Sequence, residues 1–205
     1  MDNGERFNSL SHAIGVGLAV AGTAVLVVLA AQLADPWKIV AFSIYGAMLI
    51  ALYAASTAYH SLRGRAKAVL RKLDHCSIYL LIAGSYTPFA LVSLRGAWGW
   101  SLLGAIWGLA LLGIAQELWR ARRGRRLSYA LYVGMGWLAL VACVPLWQAL
   151  GPLGFSLLLG GGLCYTAGLG FYAAGHRLRH AHGWWHLCVL GGSGAHFFTV
   201  LGFVA

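Results

Sequence analysis

Six long stretches of the chain contain no Asp, Glu, Lys or Arg, and they constrain its fold more than any other feature. A helix needs roughly 20 predominantly apolar residues to cross about 30 Å of hydrocarbon. The stretches are Leu10–Ala34, Ile39–Leu62, His75–Leu94, Gly96–Gln116, Leu127–Gly175 and His182–Ala205. The fifth is long enough for two helices, and Pro145 and Gly151-Pro152 interrupt it. The sequence therefore predicts seven transmembrane helices.

Composition places the whole chain in the membrane class. Of its 205 residues, 60% are hydrophobic and 10% are charged, whereas a soluble domain has about 25% charged residues. We predict an all-α integral membrane protein, a seven-helix bundle forming a single domain over residues 1–205. The expected spans are 10–32, 39–62, 74–94, 97–117, 127–148, 153–174 and 182–204.

The basic residues predict the orientation. One set of loops carries Arg6, Arg63, Arg65, Lys67, Arg71, Lys72, Arg120, Arg122, Arg123, Arg125, Arg126, Arg177 and Arg179, and the opposite loops carry Lys38 and Arg95. The positive-inside rule then places the N-terminus in the cytoplasm and the C-terminus outside. The net charge of +10 is explained by topology and contacts with lipid headgroups. The expected partner is membrane lipid and not nucleic acid, and no protein partner is indicated.

Several polar residues fall at the predicted inner ends of the spans. His60 ends the second helix, Asp74 opens the third, His182 and His186 open the seventh, and His12 begins the first. Polar residues inside a membrane span indicate function by default. One polar site at one membrane depth is therefore geometrically feasible, built from segments far apart in the sequence.

The spacing of His182 and His186 suits metal binding. Residues at i and i+4 stand on one helix face about 6 Å apart, so both imidazoles can bind one ion. A third histidine from the second helix, His60, would leave a fourth position for water, as in catalytic zinc sites. Nitrogen donors favour zinc, although nickel, cobalt and iron are compatible. The alternative is that these are ordinary histidines at the membrane interface.

His196 lies ten residues beyond His186, which is about 15 Å along a helix. It is therefore too far away to bind the same ion. We predict that His196 is an interior residue hydrogen-bonded between helices.

Two further residues have two interpretations each. Ser56 shares a helix face with His60, where it can orient the ring or a bound water, or it can bond its own i−4 carbonyl. Asp74 can reach a metal-bound water, or it can pair with Arg71 or Lys72 near the start of its helix.

The chain resembles the hemolysin III family, the bacterial branch of the group that includes the progestin and adiponectin receptors, and more distantly the alkaline ceramidases. The resemblance runs nearly end to end and is carried by "ERFNSLSHAIG", "ASTAYHSL", "LRKLDHCSIYLLIAGSYTPF", "YVGMGW", "GGLCYTAGLGFY" and "HGWWHLCVLGGSGAHFF". It implies seven helices with a cytoplasmic N-terminus and a zinc ion near the cytoplasmic side. It further implies His60, His182 and His186 as ligands, Asp74 as the contact of the metal-bound water, and Ser56 as a residue of the surrounding shell.

Three functions fit these observations. The first is a zinc-dependent hydrolase of lipid amides or esters, with Asp74 as proton acceptor. The second is a non-enzymatic regulator, receptor-like sensor, or pore or cytolysin, in which zinc is structural. The third, an ion or proton pathway, would require more acids inside the membrane than Asp74 and Glu117. In each case we expect a multi-pass protein of the bacterial inner membrane.

Overall fold

The computed structural model describes residues 3–119, 125–174, 178 and 180–205, and within these ranges the secondary structure is helical, with short turns and no strand. The helices are α1 (Asn3–Gln32), α2 (Pro36–Ser61), α3 (Ala66–Pro88), α4 (Ala97–Trp119), α5 (Arg125–Trp137), α6 (Cys143–Ala173) and α7 (Ala181–Phe203). A π-helical segment, Phe89–Ser93, follows α3, and a 3₁₀ segment, Leu138–Ala142, joins α5 to α6.

Six helical stretches in the described residues are long and apolar enough to cross a membrane. The prediction of an all-α integral membrane protein is therefore confirmed. Some helices begin well before their predicted spans: α1 starts at Asn3 and α3 at Ala66, against predicted starts at 10 and 74. The difference arises because a charge-free run measures the apolar part of a helix, whereas polar first turns extend the same helix beyond it.

The start of α2 shows how local sequence sets a helix end. The Asp35 side chain accepts hydrogen bonds from the backbone amides of Trp37, at 2.9 Å, and Lys38, at 3.3 Å. Pro36 occupies the first helical position, where its missing N–H costs nothing. An N-cap carboxylate followed by a proline at this position defines the start of the helix.

The longest of the six stretches, Leu127–Ala173, reverses direction at Gly151. The backbone leaves the helical conformation there, with φ 66° and ψ 179°. Residues about equally far before and after Gly151 then meet. The rings of Trp147 and Phe155 are 5.4 Å apart, Trp137 Nε1 donates to Thr166 Oγ1 at 3.1 Å, and the rings of Tyr129 and Tyr172 are 5.6 Å apart. Residues 125–150 and 152–173 therefore form two antiparallel arms.

The helices form a ring in which neighbours in sequence are neighbours in space. α1 packs on α2, α2 on α3 and α3 on α4, while α6 packs on α7 and α7 returns to α1. α5 contacts α3, α4 and α6, which closes the ring. The side chains buried inside include Phe42, Tyr45, Tyr79, Ile106 and Met135. This arrangement brings the start of α7, the end of α2 and the start of α1 to the same end of the bundle.

The reversal at Gly151 generates a testable prediction. Its backbone conformation belongs to a region that is essentially restricted to glycine, and a side chain there costs about 1–3 kcal/mol. We expect Gly151→Ala to lower the thermal stability of the purified protein, measured by the loss of the monodisperse gel-filtration peak on heating. Gly160→Ala is the matched control, because Gly160 lies in the same helix with open space around it and alanine favours helices. Equal melting shifts in the two variants would contradict the strained reversal.

Candidate metal centre

Three imidazoles meet at the end of the bundle where α1, α2 and α7 converge. His60 comes from the last turn of α2, and His182 and His186 come from the first two turns of α7. One ligand-capable atom from each residue lies within 4.8 Å of the other two. The Nε2 atoms of His60 and His182 are only 3.2 Å apart. The fold thus brings His60 together with two residues that follow it by more than 120 positions in the sequence.

Hydrogen bonds to the opposite ring nitrogens orient two of the three imidazoles. His60 Nδ1 donates to the Glu5 carboxylate at 2.5 Å. His186 Nδ1 donates to the backbone carbonyl of Asn8 at 3.0 Å, with the Ser11 hydroxyl 3.3 Å away. An imidazole whose Nδ1 carries the proton has its lone pair on Nε2. Both rings therefore present an unprotonated Nε2 atom as a ligand.

Glu5 is itself held in place from the far side. Its second carboxylate oxygen accepts from Lys67 Nζ at 3.0 Å, and Lys67 also lies 5.2 Å from the ring centre of Tyr59. A carboxylate that accepts the second N–H of a ligand histidine raises the basicity of that ligand and fixes its tautomer. The Lys67–Glu5–His60 chain is thus the kind of support that metal-binding histidines have.

The donor set fits a zinc ion. Two nitrogens bound to one tetrahedral zinc at about 2.0–2.1 Å stand roughly 3.3 Å apart, and the two facing Nε2 atoms of His60 and His182 are 3.2 Å apart. Facing lone pairs at this distance repel each other unless a cation or a proton lies between them. Of this pair, His60 is 4% exposed and His182 is half-buried on the cavity wall. Three nitrogen donors with room for a fourth ligand form the arrangement found in catalytic zinc sites.

Asp74 and Ser56 lie on the wall of the same cavity as His182 and His186. The Asp74 carboxylate is within hydrogen-bonding reach of the Ser56 hydroxyl and interacts electrostatically with His60. Within the described ranges, no ion pair joins Asp74 to Arg71 or Lys72. Asp74 and Ser56 thus line the cavity beside His182 and His186, and their roles toward a metal ion stay predictions.

His12 adds a flat aromatic support behind one of the ligands. Its ring stacks on that of His186, with centres 3.6 Å apart and planes inclined by 9°, and the ring of Tyr53 packs edge-on against it at 5.1 Å. α1 can approach α7 this closely because Gly183, between the two ligands, has no side chain. A Cβ atom there would collide with the ring of Phe7.

His196 lies away from the centre, as predicted. Its Nε2 atom donates to the carbonyl oxygen of Leu158 at 3.1 Å, which confirms a hydrogen bond between helices. The cavity of about 770 Å³ that begins at His182 and His186 extends to His196. The third histidine of the seventh helix therefore lines the deep end of the cavity and does not belong to the metal centre.

Sequence reasoning assigned no role to the residues of α1 that support the ligands. Glu5, Asn8 and His12 are spaced i, i+3 and i+7, so they lie on one face of α1. That spacing in a polar first turn was a usable signal for a face directed at a polar site. This spacing was missed because the helix was expected to begin at residue 10, beyond Glu5 and Asn8.

Helices, cavity and histidine cluster together define a multi-pass membrane protein with a candidate three-histidine metal centre near one end of its bundle. Residues 2–197 match the family described as Haemolysin-III related, and the chain belongs to this family. Its relatives include "Hemolysin-3 homolog" of Bacillus subtilis (strain 168), 43% identical over 95% of this chain and 91% of that protein. "Hemolysin-3" of Bacillus cereus is also 43% identical, over 96% and 90%.

A more distant relative is the human "Monocyte to macrophage differentiation factor", 27% identical over 94% of this chain and 81% of that protein. The resemblance deduced from the sequence motifs is therefore confirmed. Together with the apolar helices, these relatives identify a multi-pass integral protein of the bacterial inner membrane.

The geometry predicts the metal-binding behaviour of the purified protein. We expect one zinc per chain, lost in His60→Ala and His186→Ala, and bound about 10–100-fold more weakly in Glu5→Gln, because the neutral amide no longer supports His60. Metal analysis and competition with a chelator measure both effects. His180→Asn is the control, because His180 is exposed near the site and lies outside the cluster. Unaltered zinc affinity in His60→Ala and His186→Ala would refute the assignment of the ligands.

Proposed function

We propose that the protein is a zinc-dependent hydrolase of lipid amides or esters, with its site near the cytoplasmic face. The observation that carries this proposal is the position of two cluster residues, His182 and His186, in the wall of a cavity that Asp74 and Ser56 also line. A metal centre used only for stability does not require a cavity beside it.

The chain's own residues suit hydrolysis. A zinc ion held by the three imidazoles would lower the pKa of a bound water and polarise a substrate carbonyl. Asp74 accepts a proton from the attacking water and returns it to the leaving group, the ordinary work of a general base and acid. Ser56 holds the Asp74 carboxylate in place, and Glu5 together with the Asn8 carbonyl holds the ligand rings.

The cavity suits a lipid chain. Its volume of about 770 Å³ lies within the range of small-molecule sites, about 300–1,000 Å³. Away from the histidines its walls include Leu52, Ile78, Leu81, Val133 and Leu169. An acyl chain lying against these residues would present its carbonyl group to the polar end.

A structural role for zinc is the second candidate. It is favoured by the origin of the ligands, because α2 and α7 each supply them and α1 supports both. Metal binding would then contribute folding free energy by holding three helices together, without turnover. This role fits a regulator, a receptor-like sensor, or a pore or cytolysin.

The variant Asp74→Asn separates the two candidates. We expect it to keep zinc and to release fatty acid from a supplied lipid pool about 10²–10⁴-fold more slowly, because the proton acceptor is removed and the ligands are not. Mass spectrometry of the lipids measures the release. Asp35→Asn is the control. It makes the same aspartate-to-asparagine change at the start of α2, and it should keep full activity.

Equal product release by wild type and Asp74→Asn would reject Asp74 as the proton acceptor. If the wild type forms no product from any lipid, and His60→Ala lowers the melting temperature, the structural role is the correct one.

We also propose seven crossings, with the N-terminus in the cytoplasm and the C-terminus outside. The antiparallel arms around Gly151 support an odd number, because each arm is long enough to count as a crossing when the 3₁₀ segment is included. The distribution of Lys and Arg supports the orientation.

Reporter fusions in a bacterial host test the topology. We expect alkaline phosphatase fused after Ala205 to be active and green fluorescent protein at the same place to be dark, because each reporter folds on only one side of the membrane. Fusions after Trp119, at the end of α4, serve as the control and should give the opposite pattern. A fluorescent C-terminal fusion would place the C-terminus in the cytoplasm and contradict the proposed topology.

A further inference from the structure

Two cations on α3 line the polar end of the cavity. Arg71 and Lys72 belong to the cavity wall together with Asp74. Arg71 is half-buried and Lys72 is exposed. Arg71 and Asp74 are three residues apart and therefore share a helix face, with Cβ atoms about 5–6 Å apart. A group held by Arg71 thus lies one helical turn from the residue that faces the metal centre.

Neither cation has a partner in the described part of the chain. No salt bridge or side-chain hydrogen bond involves Arg71 or Lys72 there. The basic residue Lys67 on the same helix, by contrast, pairs with Glu5 at 3.0 Å.

The acids at this end of the cavity are engaged elsewhere. Asp74 interacts with Ser56, and Glu117 Oε1 accepts from His75 Nδ1 at 2.8 Å. Among the described residues, neither carboxylate therefore forms an ion pair with Arg71 or Lys72. A cation at the edge of an apolar space is stabilised by an anion.

The anion must belong to an amphiphile. Beyond Arg71 and Lys72 the same helix lines the cavity with Ile78, Leu81 and Ile82, so any molecule that fills the cavity has an apolar body. Arginine binds phosphate through two parallel N–H donors, and lysine binds it as a point charge. A headgroup phosphate attached to acyl chains satisfies both ends of the site.

We propose that Arg71 and Lys72 bind the headgroup phosphate of an anionic phospholipid whose acyl chain occupies the cavity. The claim that this lipid is a substrate rests on the hydrolase function proposed above. The claim that the lipid binds does not. The ester carbonyl of such a lipid lies only a few bonds from its phosphate. Binding at Arg71 therefore delivers that carbonyl toward Asp74 and the metal centre. Water then gives OH to the acyl carbon and H to the glycerol oxygen, the C–O bond breaks, and a fatty acid and a lysophospholipid result.

Native mass spectrometry of the full zinc-loaded protein tests the binding site. The probes are dioleoyl phosphatidylglycerol, dioleoylglycerol with the same chains, and soluble glycerol 3-phosphate. We expect the wild type to bind the phosphatidylglycerol at least about tenfold more tightly than the neutral lipid, as one charge-assisted phosphate contact provides. The double variant Arg71→Gln with Lys72→Gln should lose that preference and still bind the neutral lipid.

Two controls keep the result interpretable. Arg65→Gln removes one cation immediately before α3, where Arg65 is exposed and outside the cavity wall, and it should keep the preference. The charge-conserving pair Arg71→Lys with Lys72→Arg should keep most of it. Zinc content and a monodisperse gel-filtration peak establish that each variant is folded.

Several outcomes overturn the proposal. An unchanged preference in the folded double variant would remove Arg71 and Lys72 from lipid recognition. An equal loss in Arg65→Gln would assign the effect to general surface charge. Glycerol 3-phosphate binding as tightly as the phospholipid would define a site for free phosphate compounds and not for a lipid.

The experiment also separates this inference from the proposed function. The masses of bound intact lipids report recognition without any turnover. A preference for phosphatidylglycerol with no hydrolysis of any lipid refutes the hydrolase alone. Hydrolysis of phosphatidylglycerol and neutral lipid at equal rates, with no binding preference, refutes the headgroup site alone.

Discussion

The Nε2 atoms of His60 and His182 face each other at 3.2 Å at one end of the helical bundle. The rest of the site depends on this contact. Two lone pairs at that distance repel, so the arrangement requires a cation or a proton between them and requires walls that hold the rings in place. The surrounding hydrogen bonds meet the second requirement. Glu5 holds His60 and the Asn8 carbonyl holds His186, and both are contributed by the first turns of α1.

The need to hold those rings explains the closure of the bundle. α1 must reach both α2 and α7, and it does so where Gly183 leaves no side chain between α7 and Phe7. The stack of His12 on His186 lies at the same junction. A single end of the bundle therefore contains the ligands, their supports and a close contact between α1 and α7. The cavity begins at this end of the bundle and extends to His196.

The cavity connects the chemistry of the site to the membrane. Its polar end combines the histidines with Asp74, Ser56 and two cations, and its deep end reaches His196 among apolar walls. A molecule with a charged head, a reactive carbonyl and a hydrocarbon tail matches these two ends, with its head and carbonyl at the polar end and its tail at the deep end. The hydrolase proposal and the phospholipid proposal use different parts of this match, the first the metal centre and Asp74, and the second Arg71 and Lys72.

Membrane class and candidate ligands were readable along the chain. Hydrophobic length and the absence of charge are local properties, and so is the i, i+4 spacing that puts His182 and His186 on one helix face. The resemblance in "ASTAYHSL" and "HGWWH" pointed to His60 as their companion. Gly151-Pro152 was likewise identified as an interruption, because both residues disfavour a continuous helix.

The partners of these residues required the fold. Glu5 and Lys67 are 62 positions apart, and Glu117 and His75 are 42 apart, so no local pattern joins them. Whether Asp74 faces its neighbours Arg71 and Lys72 or the metal centre depends on how α3 is rotated against α2. That rotation is set by the packing of many side chains at once. The sequence by itself determines the apolar spans, the charges and the types of candidate ligand. The supporting contacts and the cavity form only when distant helices pack together.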